Sequence, residues 1–434
     1  MFSRRLRFSL ALGSLAALFA ALVAVNSRAS WRPVSVDFPT SFVSTEPEYV
    51  PVEWRQAQLW VHREPMGALA LGITQNAPKW VAPSAPLGAL WKRAHNWNRA
   101  PLSVFTTSSW NSATESVQID TDPAVSPNTG RIQLWHGDKL FRVVKERGHR
   151  NQSNVMKPGP LNLLSLSPDG KRVAASSHLW GYGDHEEDLR GFCALGLVVF
   201  DTQTGKQIAR QSAVEGAFAD VAWSPDSRQL AGITLDGWVF VFDGTTGKLN
   251  RKFRAHQWFG AQIAWSPDGK TLVTATNPRM ALSPTHLEYA LKSGAGLSMG
   301  AGEGTITNGQ IGDKNRFTVA QAPNGDAAWN GRTERLLKRF DARTGTQIGS
   351  AVPLQTGAVD LQFSPDGSQI ALGEHEFALI LNAQTLATQR RLDIPKPAIP
   401  TSTSVPAPVC LAWSDDGATL ATSTSRGLTL WRVR

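Results

Sequence analysis

The chain has 434 residues, of which 41% are apolar and 18% charged, and it holds 16 tryptophans but only 3 tyrosines and 2 cysteines. This composition can fill a large core and excludes a disordered chain, a collagen-like chain and a disulfide-rich scaffold. The formal charge of +9 includes four arginines within residues 1–29, which hold no acid, so the remainder carries only +5. Such a mild surplus indicates solubility and argues against nucleic-acid binding.

The first thirty residues have the pattern of a targeting segment. Three arginines within the first seven residues precede an uncharged apolar run over residues 8–25. As a helix this run would span about 27 Å, close to the ~30 Å hydrocarbon core of a bilayer. Residues 1–29 are therefore predicted to be either a signal peptide cleaved before Ser30 or an uncleaved N-terminal membrane anchor. Both alternatives place residues 30–434 across the cytoplasmic membrane, in the periplasm or outside the cell.

One phrase then recurs five times, each time as an apolar run, a turn of the Ser-Pro-Asp-Gly type and a second apolar run. Pro presets the backbone at the second turn position, Asp tolerates the third and Gly closes the turn, so each copy predicts an antiparallel hairpin. The copies are LSLSPDGKRVAAS (164–176), VAWSPDSRQLAGI (221–233), IAWSPDGKTLVTA (263–275), LQFSPDGSQIALG (361–373) and LAWSDDGATLATS (411–423).

A second phrase follows the hairpins, a strand that runs into an Asp-x-x-Thr-Gly turn. Its clearest copies are LVVFDTQTGK (197–206), VFVFDGTTGK (239–248) and KRFDARTGTQ (338–347). Each repeat therefore predicts three or four antiparallel strands. The long interval between the third and fourth hairpins predicts a further, faded copy at APNGDAAW (322–329). Six copies then follow residue 155, and residues 44–154 are expected to supply one irregular unit or two.

These repeats resemble those of WD40-repeat β-propellers, whose blades are four-stranded antiparallel sheets. Phe-Asp replaces the family's Trp-Asp dipeptide, as at Phe200-Asp201, whereas Trp135 and Trp431 keep the aromatic residue without the acid. The resemblance implies an all-β fold, a single propeller of seven blades with eight as the alternative. It also implies closure by an N-terminal strand within residues 34–43 that pairs with the last blade and removes an open sheet edge.

Because the repeats depart from the WD40 pattern, a second family of propellers is an alternative. The hydrogen-bonded tetrad of WD40 repeats, made of His, Asp, Ser and Trp, is only hinted at, by Thr234 and Asp236 in one repeat. His149 and His256 stand near the starts of other repeats and are further candidates for it. TolB-like propellers also carry the hairpin turn phrase and are the nearest alternative.

Long insertions are the strongest functional feature of the sequence. They lie at residues 145–160, 177–196, 277–316 and 391–408, and in a propeller all four would project from one face. Long loops on a rigid scaffold commonly carry function, although neutral drift in exposed loops is the alternative. The candidate partner-binding residues within them are His149, Arg150, His178, Trp180, Tyr182, Asp184 and His185. A metal held by the two histidines and a carboxylate of 177–196 is the weaker alternative, because a loop does not fix their geometry.

Several other residues are expected to be structural. An aromatic recurs at one position of the hairpin repeat and is predicted to pack between blades, at Trp223, Trp265, Phe363 and Trp413. Glu374-His375-Glu376 is predicted to form an exposed turn. Cys410 should be buried and inert, and a disulfide with Cys193 is not expected.

Enzymatic function finds little support, because neither a Gly-x-Ser-x-Gly elbow nor a His-Glu-x-x-His motif is present. We expect no catalytic residue, cofactor or metal. The expected function is a monomeric, exported or membrane-tethered scaffold that binds protein partners through the insertion-bearing face, with residues 8–25 as its tether. The alternatives are a TolB-like accessory protein of the cell envelope, and a propeller hydrolase or lyase with its site in a central pocket.

Overall fold

The computed structural model describes more than half of the chain, and every regular element in it is a β-strand. None of the described segments contains a helix. These segments are residues 32–36, 50, 52–55, 58–63, 67–73, 78–81, 108–110, 115–122, 126–136, 139–145, 149–150, 156–157, 163–176, 197–211, 218–234, 237–257, 260–278, 306–311, 315–321, 327–329, 333–395, 407–425 and 427–432.

The strands are short and follow one another closely. The N-terminal ones are β1 (Arg32–Val36), β2 (Val52–Arg55), β3 (Gln58–Arg63), β4 (Gly67–Ile73), β5 (Pro78–Val81), β6 (Ser108–Trp110), β7 (Glu115–Asp122), β8 (Ser126–His136), β9 (Lys139–Lys145), β10 (His149–Arg150), β11 (Met156–Lys157), β12 (Leu163–Leu166), β13 (Arg172–Ser176), β14 (Leu197–Asp201) and β15 (Gln207–Gln211). The others are β16 (Phe218–Trp223), β17 (Gln229–Thr234), β18 (Trp238–Asp243), β19 (Leu249–Arg254), β20 (Gly260–Trp265), β21 (Thr271–Thr276), β22 (Ile306–Ile311), β23 (Asn315–Gln321), β24 (Ala327–Trp329), β25 (Leu336–Asp341), β26 (Val352–Pro353), β27 (Asp360–Phe363), β28 (Gln369–Gly373), β29 (Phe377–Asn382), β30 (Thr388–Asp393), β31 (Cys410–Trp413), β32 (Thr419–Thr424) and β33 (Gly427–Arg432).

Seven antiparallel sheets of four strands each make up most of the described structure. In strand order they are sheet 1 (β2-β3-β4-β5), sheet 2 (β6-β7-β8-β9), sheet 3 (β12-β13-β14-β15), sheet 4 (β16-β17-β18-β19), sheet 5 (β20-β21-β25-β26), sheet 6 (β27-β28-β29-β30) and sheet 7 (β31-β32-β33-β1). Two smaller sheets, β10-β11 and β22-β23-β24, lie in the links between these strands. The prediction of an all-β fold built from four-stranded antiparallel sheets is confirmed for these residues.

The first three strands of sheet 4 are largely buried, whereas the fourth is not. Strands β17 and β18 are buried on both faces over most of their length and read as the near-continuous apolar runs QLAGIT and WVFVFD. Strand β19, LNRKFR, alternates between exposed and half-buried residues. A strand that is buried on both faces can carry apolar side chains at every position. The fourth strand has a free edge, where charged side chains discourage pairing with other molecules.

Neighbouring sheets pack face to face through their apolar side chains. Hydrophobic clusters join sheet 3 to 4, 4 to 5, 5 to 6, 6 to 7, and 7 to 1. In the first of these, the Phe218 ring meets the Phe240 ring edge-on with centroids 5.8 Å apart. The first strands of sheets 2, 3, 4, 5, 6, 7 and 1 lie side by side in that order.

The recurring aromatic residue joins these first strands, as predicted, and does so in two ways. Trp223, Trp265 and Trp413 are buried to 7–8% exposure, and Phe363 packs against the cluster between sheets 5 and 6. The indole Nε1 of Trp223 also donates to the carbonyl oxygen of Ser165 in the preceding sheet, at 2.9 Å. Trp265 repeats this bond one sheet further on, with Ala222.

The first described strand, β1, completes the last sheet. It pairs antiparallel with β33, so that Val34 lies opposite Leu430 and Val36 opposite Leu428. The N-terminal strand was expected within residues 34–43, and the observed one starts two residues earlier and is described as far as Val36. The pairing covers the edge of β33 that would otherwise be open.

Two predictions about the repeats were wrong. The stretch 322–329 is not a faded copy, because β21 pairs directly with β25 and sheet 5 therefore continues at Leu336. Strand β24 belongs to the small sheet β22-β23-β24, which lies between the second and third strands of sheet 5. Five four-stranded sheets, not six copies, thus follow residue 155, and residues 44–154 supply sheets 1 and 2.

Candidate functional site

Each sheet has two ends, which differ in the connections that they carry. The turns between first and second strands, and between third and fourth strands, lie at one end, the turn face. The links between second and third strands, and from one sheet to the next, lie at the other end, the loop face. Its described residues outside the strands are 50, 237, 255–257, 277–278, 333–335, 354–359, 374–376, 394–395, 407–409 and 425. All four predicted insertions fall in links of the second kind.

The turn face is built from two local hydrogen-bonded motifs. In each of the five hairpins the Ser hydroxyl donates to the Asp carboxylate two residues on, at 2.6 Å. This bond is the first cause that holds the pKa of Asp226 below its usual value, and the pKa of Asp268 is lowered in the same way. In the Asp-x-x-Thr turns, such as that of Asp243, the Thr246 backbone N–H and hydroxyl both donate to one carboxylate oxygen. These acids therefore serve the turns.

The loop face of sheet 5 holds a buried polar network around His256, which is 1% exposed. Its Nε2 lies 2.8 Å from the Thr274 hydroxyl and its Nδ1 lies 3.2 Å from Glu334. Lys338 Nζ is 3.4 Å from the same Glu334 oxygen, and the backbone N–H of Gln257 donates to the other at 2.7 Å. Burial lowers the pKa of His256, while the Glu334 carboxylate opposes that shift. A neutral ring can donate from Nδ1 to Glu334 and accept from Thr274 at Nε2.

In sheet 6 an acid, Glu374, also accepts backbone N–H groups of a neighbouring link, but no histidine contacts its carboxylate among the bonds described. Glu374 is fully buried, and its Oε2 accepts from the Thr356 hydroxyl at 3.0 Å and from the Gly357 N–H at 3.2 Å. Its Oε1 is buried and has no hydrogen-bond partner among the described residues. The prediction of an exposed turn at Glu374-His375-Glu376 was wrong for the first two residues, because His375 is only 8% exposed. Only Glu376 is exposed.

These contacts anchor the base of two insertions. Thr276, at the end of β21, accepts from the Leu336 N–H at 2.8 Å, which closes the neck of the long link between β21 and β25. His375 forms a β-bridge with Pro408, and the Val409 N–H donates to the Glu374 carbonyl oxygen at 3.0 Å. The link between sheets 6 and 7 is therefore held against the loop face at its C-terminal end.

Of the residues considered in the sequence as tetrad candidates, His256 contacts Thr274 and Glu334 in sheet 5. In sheet 7, Trp431 Nε1 donates to the Thr422 hydroxyl at 2.9 Å. In sheet 4 the Thr234 hydroxyl bonds the backbone of Trp238 across a turn. Asp236 and the side chain of His149 lie outside the described residues.

The first strands carry two acids that sequence reasoning did not single out. Asp220 accepts from the N–H of Val221 at 2.8 Å and from that of Ile263 in the next sheet at 3.0 Å. Asp360 makes the equivalent pair of bonds, the second of them to Leu411 in sheet 7 at 2.7 Å. Both acids stand three residues before the recurring aromatic, which is the signal that could have found them.

Burial of the ionisable groups shifts the pKa values of Asp220, Asp360 and Cys410. It raises the pKa of Asp220 to about 7, with a further contribution from the charge of Asp360, and raises the pKa of Asp360 to about 6. Cys410 is buried, as predicted, and is a free thiol whose pKa is raised first by burial and then by Asp360. One oxygen of each acid accepts the N–H of the residue that follows it, and the other accepts an N–H from the next sheet. These acids therefore join neighbouring sheets.

The predicted partner-binding residues fall mostly outside the described structure. His178, Trp180, Tyr182, Asp184 and His185 lie in 177–196, which is not described. His149 and Arg150 form β10, which pairs with β11 in the link between sheets 2 and 3.

The described segments lack two common functional features. No group of three or more His, Cys, Asp or Glu side chains there is placed to hold a metal ion. Nor does that part of the chain contain a helix long and apolar enough to cross a membrane. Residues 8–25 lie outside it.

The chain was also compared with known proteins. Neither the models of protein families nor the curated proteins contain a match to it.

Proposed function

We propose that this chain is a seven-bladed WD40-like β-propeller, exported or tethered to the membrane, that acts as a scaffold for protein partners. The seven four-stranded sheets are its blades, and β1 completes the last blade. Contacts between first strands join six successive pairs of sheets, and in the proposal a seventh contact, between sheets 1 and 2, closes the ring.

The observation that carries the scaffold function is the asymmetry between the two faces. The turn face consists of short turns whose polar groups bond one another. The loop face carries the four predicted insertions, and two acids, Glu334 and Glu374, fasten the backbone beneath two of them. A rigid platform with long loops on one side is typical of propellers and repeat proteins that bind other proteins.

The first strands supply the main argument against a central catalytic site. Asp220 and Asp360 are the acids of the first strands whose side chains the structure describes, and a catalytic acid needs an oxygen that is free to meet the substrate. All four of their oxygens accept backbone N–H groups. We therefore favour the scaffold over a hydrolase or lyase.

Site-specific photo-crosslinking in the cells that make the protein tests the proposal. A photoreactive amino acid at Gln257 samples the loop face, and one at Gln384 samples the turn face as a matched control, because both glutamines are exposed. We expect adducts of defined mass from Gln257 and none from Gln384. Adducts in equal yield from both positions would show that the loop face is not the binding surface.

A loop replacement separates binding from folding. Exchanging residues 281–331 for a short Gly-Ser linker keeps Asn277, which donates to the Ala358 carbonyl oxygen at 2.8 Å, and keeps the Glu334 network. We expect an unchanged unfolding temperature and loss of the Gln257 adduct. Unfolding of the variant would show that the insertion is structural.

A further inference from the structure

Charge is distributed unevenly between the inner and outer strands of the sheets. The fourth strands of the seven sheets, which we call the rim, hold eleven basic residues and one acid, Asp393. The basic residues are Arg32, Lys79, Lys139, Arg142, Lys145, Arg210, Arg251, Lys252, Arg254, Arg390 and Arg391. The first strands hold three acids, Glu53, Asp220 and Asp360, and no basic residue except Arg55 at the end of β2.

Protection of open edges explains only part of this pattern. Charged side chains on a free edge strand discourage pairing with other molecules. Lysine is the charged residue used most for that purpose, whereas seven of the eleven basic residues here are arginine, so edge protection does not account for the whole excess. A one-sided excess is the electrostatic signature of a surface that meets an anionic partner.

The position of β1 indicates which part of the rim would lie near a membrane. β1 is the fourth strand of sheet 7, and only residues 26–31 separate Arg32 from the apolar run 8–25. Six residues span at most about 20 Å. If residues 8–25 lie in a bilayer, the rim of sheet 7 is held close to its surface. Sheets 6 and 1 pack on either side of sheet 7 and bring their rims with them.

We propose that the rim of sheets 6, 7 and 1 docks on a membrane surface of anionic phospholipids. This proposal rests on the propeller and on an uncleaved N-terminal anchor. Arg32, Lys79, Arg390 and Arg391 are the basic residues of these three rims and supply their positive charge. Arg391 is 42% exposed and remains beside Asp393, at 2.6 Å. In this orientation the axis of the propeller lies parallel to the membrane, so the loop face points sideways and stays open to partners.

The test uses the full chain in vesicles of phosphatidylcholine, with or without phosphatidylglycerol, and a lipid-borne energy acceptor. A fluorescent amino acid is placed at Gln389 in β30 or at Asn250 in β19. Both are exposed and occupy equivalent rim positions, but sheet 4 is separated from sheet 7 by sheets 5 and 6. We expect strong transfer from Gln389 in the anionic vesicles, weak transfer from Asn250, and loss of the Gln389 signal at high salt.

Charge variants make the test quantitative. Each basic residue at an anionic surface contributes about fivefold to binding, so Arg390→Gln with Arg391→Gln should lower the ratio of docked to undocked protein about 25-fold. Lysine at both positions keeps the charge and should dock like the parent. The matched control, Arg251→Gln with Lys252→Gln, removes the same charge from sheet 4 and should leave docking unchanged.

Three results would overturn the proposal. Equal transfer from Gln389 and Asn250, in protein that floats with the vesicles, rejects the docked rim while leaving the anchor and the propeller standing. Equal effects of the two pairs of substitutions show that total charge, and not this rim, is responsible. Failure of the full chain to float with vesicles removes the anchor on which the proposal rests.

Discussion

Asp220 offers the sharpest test of how the first strands are joined. Its pKa rises from 3.8 to about 7 on folding because the carboxyl is buried. Between those two pH values the folded chain holds a proton at this position that the unfolded chain has released. The free energy of unfolding therefore falls as the pH rises through this window, by about 4 kcal/mol in total.

Asp220→Asn should remove this part of the pH dependence. Its amide oxygen can accept one of the two N–H groups, from Val221 and Ile263, while its NH2 group faces the other. We expect the variant to be less stable than the parent by about 1 kcal/mol near pH 4, because one hydrogen bond is lost. Toward pH 8 the parent acquires a buried charge, so the stability of the variant relative to the parent should increase by about 4 kcal/mol.

Urea unfolding followed by tryptophan fluorescence, at pH values from about 4 to about 8, measures this difference. Asp360→Asn should behave alike with a smaller change, because the pKa of Asp360 rises only to about 6. Asp268→Asn is the control, since Ser266 lowers the pKa of Asp268 and its effect is confined to pH values below 3.8. Parallel stability curves for Asp220→Asn and the parent would refute the reasoning.

Three further substitutions test single contacts by chemical denaturation. Glu374→Ala leaves the Gly357 N–H, which is buried, and the Thr356 N–H and hydroxyl, which are half-buried, without their acceptor and should destabilise the chain by about 3 kcal/mol; a change below 1 kcal/mol would mean that water replaces the carboxylate. Trp265→Phe keeps the ring packing but removes the bond to the Ala222 carbonyl oxygen, so we expect a loss of about 1 kcal/mol, and no loss would show that packing alone matters. Gly237→Ala places a methyl group 2.2 Å from the His256 carbonyl oxygen at φ +86° and should destabilise by about 2–4 kcal/mol; wild-type stability would contradict the close approach.

Local chemistry made much of the fold readable from the sequence. Each of the five predicted hairpins, four with a Ser-Pro-Asp turn and one with Ser-Asp-Asp, occurs where it was predicted, because its bonds join residues no more than five apart, as between Ser224 and Gln229. Trp54 is the equivalent of the recurring aromatic residue in sheet 1, because its Nε1 donates to the Ala412 carbonyl oxygen in the preceding sheet at 3.1 Å. It was not recognised in the sequence, since the region around it was the least regular.

The candidate site was harder to predict, because its residues are distant in sequence. The Glu334 carboxylate and His256 are 78 residues apart, and no pattern within either segment indicates the other. In the sequence, Glu374 resembles part of an exposed polar turn. In the structure, residues 407–409 of the link between sheets 6 and 7 pair with this turn.

The amino-acid sequence by itself determined the turns, the alternation that makes strands, and the all-β class, because each depends on neighbours along the chain. Only the tertiary structure decided that β25 rather than residues 322–329 follows β21 in sheet 5, and that β1 joins β33. It also decided that Asp220 and Glu374 are enclosed by protein. Strand pairing and burial depend on which distant segments compete for the same edge or face, and that competition is resolved only when the whole chain packs.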